Sequence, residues 1–201
     1  MIKQITENVF RISFPVHTCN AYFIKDKNIL IDTGVMRVKG QFEKALPVPP
    51  ESIKVVLFTH LHYDHVGCFD LFYNASLFAS EKAIRSMKED IGAAVYDAET
   101  IKHLQEKEFS PASFPKEELA DLGFEIIDAP GHAEGSVVMF YDDHGTKILF
   151  SGDLFFDPDK HFIGRTDLPT SDHKQMVVSL RKLAARKYDV LCPGHGNVTY
   201  L

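Results

Sequence analysis

The segment FTHLHYDHVGC, residues 58–68, concentrates three histidines and one aspartate within six positions. These residues are His60, His62, Asp64 and His65. The preceding run IKVVLF is apolar at nearly every position, which predicts a strand buried on both faces. Local structure gives no reason to place so many imidazoles at the end of such a strand. The cluster therefore indicates a site with its own chemistry.

Three later positions share the same context, because each follows a short apolar strand and stands beside glycine or proline. They are His132 in APGHAEGS, Asp153 in LFSGDLFF and His195 in LCPGHGN. Glycine permits tight turns, so each side chain is predicted to point into a shared cleft. The other five histidines lack this context, and we expect them to be ordinary surface or core residues. They are His17, His103, His144, His161 and His173.

Five imidazoles and two carboxylates suit borderline metals such as Zn²⁺, and also iron or manganese. His60 and His62 point to the same side of an extended segment, because side chains alternate with a period of two. We therefore expect them to bind one ion. Asp64 and His65 follow the next turn and are placed to reach a second ion. Asp153 has two carboxylate oxygens, so it could bridge both ions.

Short strands and helices alternate along the rest of the chain. Strands are predicted at Val9–Phe14, Ala21–Lys25, Asn28–Asp32, FEIIDAP, SVVMFY, KILFSGD and, as the last strand, DVLCPGHG. Helices are predicted over residues 38–46, over the charged stretch 80–108, and in the amphipathic segment 171–188, with Ser171 or Asp172 as its N-cap. Because no linker interrupts this order, we predict one α/β domain spanning residues 1–201.

Composition bears on partners and location. The formal net charge is −6 and the pI is near 5.9, which argues against a nucleic-acid or anionic-membrane surface. No apolar run approaches the length of a bilayer span, and the first residues lack the apolar block of a signal peptide. The three cysteines are widely spaced, which favours reduced thiols. We therefore expect a cytoplasmic protein with a small-molecule substrate and no nucleic-acid or membrane partner.

The sequence resembles the metallo-β-lactamase superfamily over essentially its whole length. The motifs DTG at residues 32–34, HLHYDH, PGHAEGS, SGDLFF and PGHG occur in family order. The resemblance implies an α/β fold built as a four-layer αββα sandwich, with the metal site at one edge. It implies two divalent transition-metal ions, zinc first, with iron or manganese as alternatives.

The resemblance also assigns roles to individual residues. It implies that the first ion is held by His60, His62 and His132, and the second by Asp64, His65 and His195, with Asp153 bridging. It makes Asp32 a supporting residue at the back of the site rather than a ligand. On turn chemistry alone, Asp32 is equally well explained as a turn-forming aspartate.

The branch within the superfamily is indicated by Asp153 and by the loop FIGRTDLPT, residues 162–170. True β-lactamases generally carry cysteine or serine at the position of Asp153. The loop resembles the glyoxalase II-like group, which hydrolyses thioesters such as hydroxyacylglutathione. Persulfide dioxygenases, a mononuclear iron branch, carry much the same loop, and hydrolysis of a lactone or another ester is a further alternative. Full-length glyoxalase II adds a C-terminal helical region with glutathione-binding residues, whereas this sequence ends six residues after His195. The resemblance therefore does not fix glutathione as the thiol carrier, and a simpler thioester stays an alternative.

The expected reaction is attack of a metal-bound hydroxide on the acyl carbon. Asp64 is expected to be catalytic, because it can orient that hydroxide and accept its proton. Arg165 is expected to bind an anionic group of the substrate, with an ion pair to Asp167 as the alternative. The thiols of Cys68 and Cys192 are expected to be buried and inert. The rings of Phe155, Phe156 and Phe162 are expected to pack in the core, and the alternative is that they form a wall of the substrate pocket.

Overall fold

The computed structural model describes residues 1–14 and 17–201, but not the side chains of His17 and Thr18. The prediction for the His17 side chain therefore lies outside the described part of the chain. Seven strands form the first sheet in chain order: β1 Ile2–Gln4, β2 Val9–Phe14, β3 His17–Ile24, β4 Ile29–Ile31, β5 Val55–Leu57, β6 Ser76–Ala79 and β7 Ala112–Ser113. Strands β1 to β4 pair antiparallel, and β4 to β7 pair parallel.

Five strands form the second sheet. In chain order they are β8 Phe124–Asp128, β9 Val137–Asp143, β10 Thr146–Gly152, β11 Val190–Pro193 and β12 Thr199–Tyr200. Their order across the sheet follows the chain, and only β10 and β11 pair parallel. The α-helices are α1 Lys39–Ala45, α2 Tyr63–Val66, α3 Glu81–Glu89, α4 Ile91–Val95, α5 Ala98–Glu106, α6 Lys116–Asp121 and α7 His173–Leu183.

Alternation along the strands divides the core into three layers. In β9, Met139 belongs to the cluster between the two sheets, whereas Val138 packs with Met176 of α7. In β3, Tyr22 packs between the sheets, where its ring lies 5.1 Å from that of Phe150. The outer face of the first sheet packs against the helices of the first half. The layers are therefore helix, sheet, sheet and helix, which confirms the predicted αββα sandwich.

Most predicted elements are present, but strands β1, β6 and β7 and helices α2 and α6 were not predicted. The predicted helical stretch 80–108 is three helices, because the side chains of Asp90 and Asp97 accept hydrogen bonds from Ala93 N and Thr100 N and start new helices. The last predicted strand is followed by β12. For α7, the N-cap is Asp172, which accepts from the N–H groups of residues 174 and 175 at 2.8 and 3.1 Å.

The topology brings several strand ends to one edge of the sandwich. Strands β4 and β5 run parallel, so their carboxyl ends lie side by side. Strands β10 and β11 do the same in the second sheet. Residues that directly follow these four strands therefore meet where the two sheets face each other. Among the described residues, none of the helices has the length and apolar character needed to cross a membrane.

A buried carboxylate joins the first turn of the chain to the second sheet. Asp143 ends β9, and its Oδ1 accepts a 2.9 Å hydrogen bond from Asn8 Nδ2, while its Oδ2 accepts from the Thr6 hydroxyl. Burial alone would raise the pKa of Asp143, but the hydrogen bonds from Thr6 and Asn8 hold it below its ordinary value. The ionised carboxylate is therefore favoured in the folded state.

We predict that Asp143→Ala lowers the free energy of unfolding by about 2–4 kcal/mol at pH 7, because it leaves buried donors without an acceptor. Since folding depresses this pKa, the stabilisation is present above the unfolded value of about 3.9 and disappears as the pH falls through the lower folded value. Urea unfolding at several pH values measures both effects. The exposed Asp121→Ala is the control, and equal losses in the two variants would contradict this role.

Candidate metal centre

The seven side chains singled out in the sequence meet at one edge of the sandwich. His60 and His62 lie in the extended segment after β5, and Asp64 and His65 lie in the short helix α2. The remaining three come from the second half of the chain: His132 from the loop between β8 and β9, Asp153 after β10, and His195 after β11.

The first group of donors is formed by His60, His62 and His132, whose rings are buried and each present a nitrogen within 4.8 Å of the others. His132 Nε2 lies 2.9 Å from His62 Nδ1. His132 Nδ1 donates to the carbonyl oxygen of Arg165 at 3.0 Å, which leaves the lone pair of Nε2 for the site. His60 Nδ1 lies 3.1 Å from Thr59 Oγ1, and this contact orients the ring.

The second group is formed by Asp64, His65 and His195. Asp64 Oδ2 lies 3.2 Å from His195 Nε2 and 4.0 Å from His65 Nε2. The His65 ring is fully buried, whereas Asp64 and His195 are partly exposed. The second group therefore lies nearer to solvent than the first.

Asp153 lies between the two groups. Its Oδ2 is 3.4 Å from His132 Nε2 of the first group and 3.2 Å from His195 Nε2 of the second. Its Oδ1 is 3.4 Å from His65 Nε2. This is the position that a bridging carboxylate requires.

Several donor atoms at this centre are buried with no hydrogen-bond partner among the described residues. They are the Nε2 atoms of His60, His62 and His65 and Oδ1 of Asp153. Burying a polar atom without a partner is unfavourable, so unsatisfied atoms on residues whose donor atoms lie within 4.8 Å of one another fit a site for a cation. Imidazole nitrogens with a few carboxylate oxygens are the donor set of zinc and related transition metals. The residues present thus fit a divalent transition metal.

Electrostatics divides the histidines into two classes. Burial lowers the pKa of His60 well below its ordinary value, lowers that of His62 to about 3, and also lowers that of His132. These rings are therefore neutral and offer lone pairs. Burial opposes protonation of the other two as well, but Asp153 and its neighbours raise the pKa of His65, and that of His195 to about 9. A proton there competes with a metal ion for the same nitrogen.

Asp32 supports the centre from behind, as expected of the aspartate in DTG. Its backbone is in the left-handed region, with φ of 57°. Its Oδ1 accepts from Thr59 N at 2.8 Å, and its Oδ2 lies 2.8 Å from both Thr59 Oγ1 and His65 Nδ1. Asp32 thus fixes the segment after β5 and leaves Nε2 of His65 for the site. Thr59 was missed in the sequence, although it stands directly before His60.

The loop that carries His195 is held by strand β3. Asn20 Nδ2 donates to the carbonyl oxygens of Pro193 and Gly196 at 2.9 and 3.1 Å, and Tyr22 Oη donates to Pro193 O at 2.7 Å. No sequence signal pointed to these two residues. An added Cβ at Gly194 would collide with Oδ1 of Asp153, so glycine is needed for the close approach.

The centre opens into a cavity of about 310 Å³. Besides the histidines and aspartates, its lining includes Tyr63, Tyr96, Phe156, Ile163, Arg165 and Leu168. Arg165 is paired with Asp167 through two hydrogen bonds of 2.9 Å, so the alternative ion pair is present, but both side chains are more than 60% exposed. The arginine therefore lies at the cavity in a weakly held pair.

The remaining predictions concern inert residues. Phe155 is fully buried as expected, Phe156 lines the cavity, and Phe162 is 69% exposed, so the core prediction is wrong for Phe162. It lies in the loop between the bridged residues 155 and 163, where no second layer covers it. Cys68 and Cys192 are buried, as expected, and burial raises the pKa of both thiols, which disfavours the reactive thiolate form.

Comparison with known sequences identifies the family. The profile of the Metallo-beta-lactamase superfamily matches residues 15–195. The chain belongs to the metallo-β-lactamase superfamily. It is 32% identical over 194 residues to the probable metallo-hydrolase MJ0888 of Methanocaldococcus jannaschii, covering 90% of this chain and 89% of that protein. It is 28% identical over 195 residues to the hydroxyacylglutathione hydrolase GloC of Haemophilus influenzae, covering 90% of this chain and 86% of that protein.

Solved structures of known proteins share the fold. The crystal structure of TTHA1623 in a di-iron-bound form aligns with a TM-score of 0.67 at 24% identity, covering 95% of this chain and 94% of that one. BJP-1, a subclass B3 metallo-β-lactamase of Bradyrhizobium japonicum, aligns with a TM-score of 0.69 at 19% identity, covering 96% and 77%. Both therefore support the αββα sandwich of this superfamily member.

We predict that Asp32→Asn weakens metal binding about 10- to 100-fold while the protein stays folded. The backbone N–H group of Thr59 donates to Oδ1 at position 32, so the oxygen of the new amide has to take that place. The NH₂ group of the amide then faces His65 Nδ1. The proton of His65 then moves to Nε2, the nitrogen that faces the site.

Zinc titration by calorimetry measures the affinity of the Asp32→Asn protein, and ¹⁵N NMR of the imidazoles reports the protonation of each His65 ring nitrogen, from which the tautomer of the neutral ring follows. Exposed Asp26→Asn is the matched control. Unchanged zinc affinity together with an unchanged tautomer would show that Asp32 does not orient this ring.

Proposed function

We propose that this superfamily member is a metal-dependent hydrolase that opens a small thioester, as glyoxalase II-like enzymes do, with two divalent transition-metal ions as cofactors. The observation that carries the proposal is the set of buried donor atoms without partners at residues that line or directly adjoin an open cavity. The names of the curated relatives, a probable metallo-hydrolase and a hydroxyacylglutathione hydrolase, support it.

The proposed ligands follow the two groups of donors. The first ion would be held by His60, His62 and His132, and the second by Asp64, His65 and His195, with Asp153 between them. Zinc is the proposed metal, with iron or manganese as alternatives, because the donors are mainly imidazoles. Metal bound there would lower the pKa of a water molecule toward about 7 and polarise the acyl carbonyl group.

Asp64 is the proposed proton acceptor. Its carboxylate lines the cavity and is only partly exposed. Burial alone would raise its pKa, but His65 and the hydrogen bond from His195 hold the pKa below its ordinary value. Asp64 is therefore ionised at neutral pH and can orient a water molecule and accept its proton.

Arg165 is proposed to bind an anionic group of the substrate. Its exposed pair with Asp167 contributes little to stability, so a carboxylate of the substrate can take the place of that partner at low cost. The apolar side chains Phe156, Ile163 and Leu168 line the same cavity and would exclude water from the acyl group. We also propose that the chain acts in the cytoplasm as one domain on a small molecule, without nucleic-acid or membrane partners.

Metal content is the first test of the proposal. We predict close to two ions per chain after loading with zinc or manganese and dialysis, measured by elemental analysis. His60→Ala and Asp153→Ala should each lose metal, because the donors act together. The exposed His173→Ala is the control and should keep the full content. Saturation at one ion would mean that Asp64, His65 and His195 do not hold a metal.

The reaction is tested by release of free thiol. We predict that the zinc-loaded protein hydrolyses S-lactoylglutathione or a simple acyl thioester, and that it has negligible activity on β-lactams. Asp64→Asn should lower kcat by about 10²- to 10⁴-fold, since it removes the proton acceptor. An oxygen-electrode trace on glutathione persulfide runs beside the assay. Oxygen consumption by the iron form, with no thiol released from any thioester, would replace the hydrolase with the dioxygenase.

A further inference from the structure

A second cavity, of about 210 Å³, adjoins the cavity of the metal centre, because Tyr63 and Tyr96 line both. Its other lining residues come from the segment after β4 and from the start of α5. They are Val35, Met36, Arg37, Asp97, Glu99 and Thr100. The proposed chemistry at the metal centre does not use this second cavity.

Tyr96 lies on the boundary between the two cavities, in a backbone conformation that is unfavourable for a tyrosine. It follows α4 with φ of 68° and ψ of 19°, the left-handed conformation in which helix ends usually place glycine. Its side chain is 45% exposed, which is high for a large aromatic ring. Unfavourable backbone conformations are enriched at active sites and ligand-binding sites. Here the ring forms a wall of both cavities.

The second cavity offers one available cation and one available anion. Arg37 Nη2 lies 3.5 Å from Glu99 Oε2, and both side chains are at least 60% exposed. Such an exposed ion pair is weak, so each partner can exchange the other for a ligand group. Asp97 is already engaged, since its carboxylate accepts hydrogen bonds from Thr100 N and Oγ1 at 2.8 and 2.7 Å.

We propose that the substrate cleft continues past Tyr63 and Tyr96 into the second cavity, which binds a thiol arm ending in an ammonium and a carboxylate group. Arg37 would bind the carboxylate and Glu99 the ammonium group. The inference rests on the proposed thioester hydrolysis and adds the place and charge of the leaving group. In that reaction the acyl carbon–sulfur bond breaks, water supplies the hydroxyl group of the acid, and its other proton leaves on the thiol.

The preference of the zinc-loaded enzyme for the thiol arm is measured with three lactoyl thioesters as substrates. Their thiols are glutathione, glutathione whose γ-glutamyl amine is replaced by hydrogen, and the short neutral N-acetylcysteamine. We expect kcat/KM to be about ten times higher for glutathione than for the arm without the amine, since one charged pair is at stake. Glu99→Gln should remove that difference, and Arg37→Gln should lower kcat/KM for both charged arms. The neutral arm should be unaffected in either variant.

Matched controls come from the same helix. Lys102 and Glu106 form another exposed ion pair, at 3.7 Å, away from the cavity. Lys102→Gln and Glu106→Gln should leave all three kcat/KM values unchanged. If Arg37→Gln and Glu99→Gln behave like these controls, the proposed arm site is wrong.

Tyr96 provides a second test with a separate readout. Tyr96→Gly and Tyr96→Asn both suit the left-handed backbone, so both proteins should fold. We expect each to raise KM for the glutathione thioester several-fold more than KM for the neutral arm, with little change in kcat. Equal changes for both arms would show that Tyr96 does not border an arm site.

Failure of the reaction and failure of the arm site can be distinguished. If no thioester is cleaved, the proposed hydrolysis is wrong. The arm site is then tested by calorimetry, as binding of the thioether S-propylglutathione to the zinc-loaded protein. Affinity that falls in Glu99→Gln but not in Glu106→Gln would retain the arm site. Equal affinity in the parent and Glu99→Gln, or no binding, would overturn it.

Discussion

Five imidazoles and two carboxylates meet at one edge of the sandwich, and burying most of them there is unfavourable unless a cation lies among them. Nitrogen atoms of His60 and His65 point inward with no partner among the described residues, and Oδ1 of Asp153 does the same. The rings crowd one another, with centroids 4.0–5.0 Å apart. The surrounding structure holds these atoms in place, and a bound metal ion would satisfy them.

Packing of the two sheets assembles this arrangement. The first half of the chain supplies residues 60–65, and the second half supplies the donors at 132, 153 and 195, so neither sheet holds a complete centre. The shared apolar core, where Tyr22 packs against Phe150, fixes the two edges relative to each other. Tyr22 also binds the loop of His195 through its hydroxyl group. Core stability and metal geometry are therefore coupled at this residue.

The donor residues could be predicted because their chemistry restricts the residue types and because each follows a strand. The residues that hold these donors in place could not be predicted. Asn20 binds the carbonyl oxygen of Pro193, which is 173 positions away in the chain, and nothing local in either segment shows that they meet. Likewise, the break between α4 and α5 depends on Asp97 as a cap, and the helical pattern of residues 80–108 conceals it. This break creates the strained position of Tyr96, so the second cavity was also missed.

The central claim is that these donors form two metal positions joined by Asp153. The most direct measurement is a crystal structure of the metal-loaded protein with anomalous differences collected at the zinc, iron and manganese edges. The account predicts two anomalous peaks, one bonded to His60, His62 and His132 and the other to Asp64, His65 and His195, with a carboxylate oxygen of Asp153 reaching both. A fully loaded crystal with a single peak, or with peaks away from these residues, would contradict it.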